Sequence, residues 1–255
     1  MLKEFKCLKF REDTFVEAKH KVIKEEPLSI SINGRHYVTA MISPHMMKEF
    51  VMGHLFAEGI IKSIDEIESL QLEDNTANVI ITHPLKVLAA RKIIVSGCGT
   101  GSSFLGESKL PKIRSSVKIE MGDIIAGVKT ILHSQVHDIT GGVHLVGLFD
   151  KSNRKYVQIC IAEDIGRHNA LDKVIGYGLI RDIQFEQTFV ASTGRISSEM
   201  ALKCSVANIP LLASRGATTS LAVELAEKTG LCIIGFVRGE KMNVYTNAER
   251  ISDGC

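Results

Sequence analysis

Three short β-rich runs, QTFVAST, PLLAS and LCIIGFVRG, alternate with two helical patterns, SSEMALKCSVANI and TTSLAVELAEKTG. No other feature restricts the fold as tightly. Strands joined through a helix of this length pair in parallel, by right-handed crossovers, because a tight turn only joins antiparallel neighbours. Upstream, HLVGLFD and YVQICIAED read as strands joined by the turn KSNRK, an antiparallel pair at the sheet's edge. DIIAGVKTILHSQ and RHNALDKVIGYGL read as helices. The expected fold is α/β, a mixed sheet with helices on both faces.

A smaller α/β part precedes it. ISINGRHYV reads as a hairpin turning on Asn33-Gly34, and SLQLEDNTANVIITH as a second hairpin. Between them lies SPHMMKEFVMGHLFAEGII, with Met46, Met47, Phe50, Val51 and Leu55 at helical spacing. Ser43 is expected as its N-cap, Pro44 as its first residue and Gly59 as its stop. The polar stretch SSFLGESKLPKIRSS, with Pro111, divides the chain into residues 1–112 and 113–255. Each part is long enough for a core of its own.

Open α/β sheets bind ligands beyond the C-terminal ends of their strands. Here those ends read EDIGRHNALDK, STGRISSEM, SRGATTS and FVRGEKMNVYT. Three lead into helix N-termini, which favour anions, and the four carry Arg167, Arg195, Arg215 and Arg238. Arginine grips phosphate through two parallel hydrogen bonds. The serines and threonines of these turns also suit plain helix caps. The pattern points to a pocket for a phosphate-bearing ligand. Guanine would suit it too, since its N–H edge matches a carboxylate.

Of the six cysteines, Cys160 and Cys232 sit in apolar runs and read as core. Cys98 differs. It follows the apolar run IIV inside SGCGTG, where glycines let the backbone bend sharply and backbone N–H groups can stabilise a thiolate. No CxxC pair occurs, so a closely spaced thiolate zinc site is not expected. The net charge of +2 is too balanced for binding a long nucleic acid by bulk electrostatics. No run of 18 apolar residues implies a membrane span, and MLKEFKCLKFREDTF lacks the apolar core of a signal peptide. A cytoplasmic location is expected.

The stretches SPHMMKEFVMGHLFAEGII, SGCGTG, TGGVHLVGLF, AEDIGRHNALDKVIG, STGRISSEM, TTSLAVELAEKTGL and GFVRGEKMNVYT resemble the FdhD family of formate dehydrogenase accessory sulfurtransferases, over most of the chain from Pro27 onward. The resemblance implies a cytidine-deaminase-like C-terminal part. It implies a sulfurtransferase that receives sulfur from a cysteine desulfurase as a persulfide on Cys98 and passes it to the molybdenum-bis(molybdopterin guanine dinucleotide) cofactor of formate dehydrogenase. The cofactor would then be a bound substrate, with GDP as a mimic. Phe236, Val237, Arg238, Gly239, Glu240 and Lys241 match the family's cofactor-binding segment, and Arg167, His168 and Arg195 are expected at phosphate or base. Many members carry CGxCG in the cysteine loop; here Gly101 stands at the second cysteine. His144 is followed by Leu145 and Val146 where a zinc deaminase needs HxE, so no zinc is expected. A ligand with two guanine ends suits a two-fold homodimer. The alternatives are a cofactor-binding chaperone that passes no sulfur and a nucleotide-modifying enzyme of deaminase type.

Overall fold

The first two strands stand apart from both sheets. The structure, a computed structural model, describes residues 1–82, 110–152 and 155–253. β1 (Leu2–Arg11) and β2 (Thr14–Ile23) pair antiparallel in one unbroken register, from Leu2 opposite Ile23 to Arg11 opposite Thr14. Glu12 and Asp13 form the turn with φ of 47° and 62°, the left-handed pair that a tight hairpin requires. The ribbon's base docks through Ile23, which packs near Gly142 and joins a buried cluster of the larger sheet. Its tip is bare: Phe10 and Phe15 are 61% and 70% exposed. The arm has no counterpart among the elements expected from the sequence.

β3 (Glu26–Ile32), β4 (Arg35–Ile42), β5 (Ile67–Glu73) and β6 (Thr76–Ile81) form a sheet in the order β4-β3-β6-β5, with α1 (Met47–Ala57) after β4. Both expected hairpins are present, turning through Asn33-Gly34 and through Asp74. β3 and β4 alternate, so Leu28, Ile30, Ile32, Val38, Ala40 and Ile42 bury one face against Phe50, Val51 and Leu55 of α1. Gly59, at φ 70°, ends the helix as expected. Its start corrects the sequence reading. α1 begins at Met47, behind a left-handed Met46, and neither Ser43 nor Pro44 belongs to it. Ser43 is buried and reaches across the chain instead. Its N–H donates to Asp164 Oδ2 (3.0 Å), its Oγ accepts from the Ile165 N–H (3.2 Å), and its carbonyl accepts from Lys173 Nζ (3.0 Å).

The larger sheet contains β8 (His144–Ser152), β9 (Lys155–Asp164), β10 (Thr188–Ser192), β11 (Leu211–Ser214), β12 (Cys232–Arg238) and β13 (Lys241–Val244), in the order β13-β12-β11-β10-β8-β9. β10, β11 and β12 are parallel, and β8–β9 is the antiparallel edge pair, both as expected. A short parallel pair, β7 (Ile119–Glu120) with β14 (Ile251–Ser252), lies outside it. Alternation sorts the side chains onto two faces. Val146, Leu148, Val190, Leu212 and Ile233 meet α4 (Arg167–Ile180), α5 (Ser198–Val206) and α6 (Ser220–Thr229); Leu145, Phe149, Phe189, Leu211 and Ile234 meet α2 (Met121–Thr130). A six-residue α3 (Gln135–Thr140) precedes β8. Cys160 and Cys232 are core residues, as the sequence implied.

α1 and α4 press backbone against backbone. A Cβ on Gly53 would stand 1.8 Å from the Asp172 carbonyl oxygen, and one on Gly176 1.8 Å from that of Glu49, so only glycine fits either place. Among the described residues no helix is long and apolar enough to cross a membrane.

Candidate functional site

Parallel order puts the C-terminal ends of β10, β11 and β12 at one edge of the sheet, and antiparallel order brings the start of β8 and the end of β9 to the same edge. The polar turns read from the sequence therefore open onto one crevice, where α4, α5 and α6 present their positive N-terminal ends. The turns hold one another. Ser192 and Ser214, both fully buried, close β10 and β11. Ser192 Oγ accepts from the Gly194 N–H (3.1 Å), while Ser214 Oγ donates to the Gly194 carbonyl (2.5 Å) and accepts from the Gly216 N–H (2.9 Å). The Ile196 N–H donates to Ala217 O (2.9 Å) and the Thr219 N–H to Ile196 O (3.1 Å). The crevice wall is thus tied together within the chain itself. Ser197 and Thr219, of the several hydroxyls in these turns, cap α5 and α6.

The four arginines fall into two groups. Arg215 and Arg238 line a cavity of about 460 Å³ together with Val237, Gly239, Glu240, the α2 residues Ile125, Val128 and Lys129, and Leu132 just beyond that helix. Its size is that of a small-ligand site. Arg167, half-buried in the first turn of α4, and the exposed Arg195 lie instead beside His144, at the β8 side of the crevice. The α2 wall had no signal in the sequence, because Ile125 and Val128 read as ordinary core residues of an amphipathic helix.

The FVRGEK segment is the least regular part of the sheet. Register with β13 shifts between Gly235 and Arg238, and Phe236 takes φ 53°, a conformation that costs an aromatic residue of order 1–3 kcal/mol. Its N–H is held by the Gly216 carbonyl at 2.9 Å. The bulge buries Val237 and leaves Phe236 and Arg238 exposed, with the guanidinium carbon 5.5 Å from the ring centroid. Gly239 and Glu240 make the turn into β13, which starts at the exposed Lys241.

Much of EDIGRHNALDK faces inward. Asp164 pairs with Lys173 (2.6 Å) with both side chains fully buried. Burial pushes the Lys173 ammonium below its ordinary pKa, and Asp164 pulls it back. Asp172 accepts from Lys203 at 2.7 and 2.6 Å and pairs with His54 Nδ1 at 3.0 Å. Lys203 also lies 3.6 Å from Glu199, which lies 3.6 Å from His168 Nδ1; His168 Nε2 pairs with the capping Ser197 Oγ at 2.8 Å. His168 is 4% exposed, and among the described residues its Nε2 reaches the crevice turn at Ser197. Glu163 Oε2 is buried without a hydrogen-bond partner among the described residues. Cys98 lies outside the described residues.

A family model described as the FdhD/NarQ family matches residues 23–252. The chain is 34% identical to the sulfur carrier protein FdhD of Bacillus pumilus over 96% of this chain and 95% of that one. It is 35% identical to the sulfur carrier protein FdhD of Sulfurisphaera tokodaii over 98% and 99%. A crystal structure from Desulfotalea psychrophila, described as a candidate formate dehydrogenase accessory protein, superposes with a TM-score of 0.79 at 28% identity, covering 98% of this chain and 99% of the other. Sequence and fold agree over nearly the whole length, and the chain belongs to the FdhD/NarQ family.

Proposed function

We propose that this protein is a sulfur carrier for the maturation of formate dehydrogenase. A cysteine desulfurase persulfide meets the Cys98 thiolate, the outer sulfur moves to Cys98, and the desulfurase thiolate leaves. Cys98 then carries a persulfide destined for the molybdenum-bis(molybdopterin guanine dinucleotide) cofactor, which is the substrate bound in the crevice. Residues 1–112 carry the cysteine and residues 113–255 the pocket, in a cytoplasmic protein. The names of the full-length relatives support sulfur carriage.

The observation that carries the cofactor part is the cavity at the end of β12, walled by Arg238, Gly239 and Glu240 of the segment that matches the family's cofactor-binding stretch. Its chemistry fits one guanine nucleotide end. Arg215, Arg238 and Lys129 supply positive charge for phosphate, Glu240 supplies a carboxylate for the guanine N–H edge, and Ile125 and Leu132 give an apolar wall. GDP titrated calorimetrically tests this. A charge-assisted hydrogen bond contributes about 1.5–3 kcal/mol, so Arg238→Ala weakens GDP binding by about 10- to 150-fold. Arg238→Lys recovers only part of that, since lysine keeps the charge and loses the planar fork. Equal affinity for GDP and ADP removes the guanine reading, and normal GDP binding by Arg238→Ala removes the phosphate role.

A homodimer belongs to the same proposal, and the β1–β2 arm supports it. An isolated two-stranded ribbon is marginal in water, yet Phe5, Leu8, Phe10, Phe15, Val16 and Val22 are all exposed on this one. Its charges are mixed, with Lys6, Lys9, Lys19 and Lys21 beside Glu4 and Glu17, which suits pairing with a second copy of itself. Sedimentation of Phe10→Glu/Phe15→Glu is expected to show a monomer at concentrations where the parent is a dimer. A parent that sediments as a monomer ends the dimer proposal.

A further inference from the structure

The crevice edge contains the same turn twice. β10 ends in Ser192 and β11 in Ser214, which stand side by side in the parallel register. Each serine hydroxyl accepts from the N–H of the glycine two residues on, Gly194 at 3.1 Å and Gly216 at 2.9 Å. Ile196 and Thr218 then pair in a parallel bridge. Ser197 and Thr219 follow as the N-caps of α5 and α6. Each cap accepts from the backbone N–H three residues on at 3.4 Å, Met200 in one turn and Ala222 in the other. Up to the cap the two turns are built alike, and beyond it they differ. α6 continues Ser220-Leu221, with Leu221 37% exposed; α5 continues Ser198-Glu199, with Glu199 6% exposed.

His168, in the first turn of α4, places Nε2 2.8 Å from Ser197 Oγ, and its Nδ1 faces Glu199 Oε2 at 3.6 Å. Ser197 Oγ already accepts from the Met200 N–H, so its own hydrogen is the one to give to the imidazole. A carboxylate beside Nδ1 favours the tautomer that has its hydrogen there, which makes Nε2 the acceptor. Burial raises the Glu199 carboxyl above its ordinary pKa, and Lys203, 3.6 Å away, pulls it back. His168 and Glu199 are both buried, while Ser197 is half-buried at the crevice. Placing an imidazole and an acid in a dry seam costs free energy. The α6 turn closes and caps its helix with a leucine where α5 has the acid, so neither task calls for the pair.

We propose that Ser197 is a nucleophile with His168 as its general base and Glu199 holding the imidazole in place, and that this end of the crevice hydrolyses carboxylic esters. The activity is separate from sulfur carriage and uses no cysteine. Nucleophile, base and acid stand in the order of a Ser-His-carboxylate triad. Ser197 Oγ bonds to the carbonyl carbon while its proton passes to His168 Nε2. The oxyanion develops at the N-terminal end of α5, where first-turn N–H groups and the helix dipole favour negative charge. The bond from that carbon to the leaving alcohol's oxygen then breaks, and His168 returns the proton to this oxygen. Water attacks the acyl-Ser197 next and gives a proton to His168. The acid departs as Oγ recovers its hydrogen from the imidazolium. Ester and water are consumed, acid and alcohol are released, and nothing is oxidised or reduced.

A fluorophosphonate is the first probe. Attack by Ser197 Oγ forms an oxygen–phosphorus bond, expels fluoride and leaves a stable mass label. In the full-length protein, peptide mapping is expected to find that label on Ser197 and none on Thr219, the same cap in the twin turn. His168→Gln should slow labelling by about 100-fold or more, the usual contribution of a general base. Glu199→Gln should lower kcat for p-nitrophenyl acetate and leave KM unchanged, a split that a purely structural role for Glu199 would not produce. Urea unfolding shows which variants fold. Ser197→Cys covers the case in which His168→Gln does not, because it leaves the histidine in place. Its thiol should react with iodoacetamide at pH 7 about tenfold faster than that of Thr219→Cys, read on the two peptides, since a neighbouring imidazole favours the thiolate. An unlabelled Ser197, labelling of folded His168→Gln at the parent's rate, or equal alkylation of the two introduced thiols overturns the proposal.

Discussion

Lys203→Met is expected to lower the unfolding free energy by about 3–5 kcal/mol, a large share of the roughly 5–15 kcal/mol that holds a domain together. Lys203 is 3% exposed and is the only ammonium hydrogen-bonded to Asp172 among the described residues. Burial alone would raise the Asp172 carboxyl; Lys203, then His54, reverse this and hold it below its ordinary value. Burial alone would lower Lys203, and Asp172 with Glu199 holds it above its ordinary value. Removing the cation leaves two acids in a dry seam between α1, α4 and α5. The pair's contribution is present between the two ordinary pKa values. It is lost in acid as pH falls through the lowered pKa of Asp172, and in alkali as pH rises through the raised pKa of Lys203. Urea unfolding of Lys203→Met and of Asp172→Leu/Lys203→Met checks the argument. The double variant should regain most of the loss, since an apolar pair of similar volume often matches a buried ion pair. A single variant that unfolds at the parent's urea concentration refutes it.

That seam also marks where sequence reading stopped. Periods of two and of 3.6 located β8 to β12 and α4 to α6, because each strand alternates between two buried faces and each crossover is a full helix. The same rules fail for a residue whose partner is far along the chain. Ser43-Pro44 has the local form of a helix start, yet Asp164 and Lys173, more than a hundred positions away, claim its backbone and hydroxyl. EDIGRHNALDK reads as a polar strand end open to ligand. Asp164, His168, Asp172 and Lys173 instead turn inward to partners on other elements, and only Arg167 of its charged residues both helps form the crevice and remains unburied on α4. The arm escaped for a different reason. Its turn is Glu12-Asp13, not Asn-Gly, and its apolar residues are distributed over both faces, so no single buried face betrays it.

Cys98→Ala is expected to abolish sulfur carriage: no persulfide after incubation with a desulfurase and cysteine, and formate dehydrogenase activity in cells no higher than without the protein. The reason lies partly in the other cysteines. Cys160 and Cys232 are buried with thiol pKa values pushed up to about 12, and burial drives Cys204 up as well. A thiol of pKa near 12 is ionised in only about one molecule in 100,000 at pH 7, against a few per cent for an ordinary one, and the thiolate is the attacking form. Burial thus works against the attacking form at all three. Cys7 sits half-exposed on the arm, opposite Ala18, without a neighbouring glycine loop, and Cys7→Ala should load and deliver sulfur normally. Gly101 stands where the resemblance implies a second cysteine, so the stretch SGCGTG offers the Cys98 persulfide no second thiol to form a disulfide with, and the loaded form should persist until an acceptor arrives. Intact mass and peptide mapping of the loaded protein read this directly, as one added sulfur on the peptide that contains Cys98. GDP binding should be unchanged in Cys98→Ala, which separates carriage from cofactor handling. If that variant activates formate dehydrogenase normally, the protein is a cofactor chaperone that passes no sulfur. If it fails to activate but sulfur loads on Cys7, the carrier has been placed on the wrong part of the molecule.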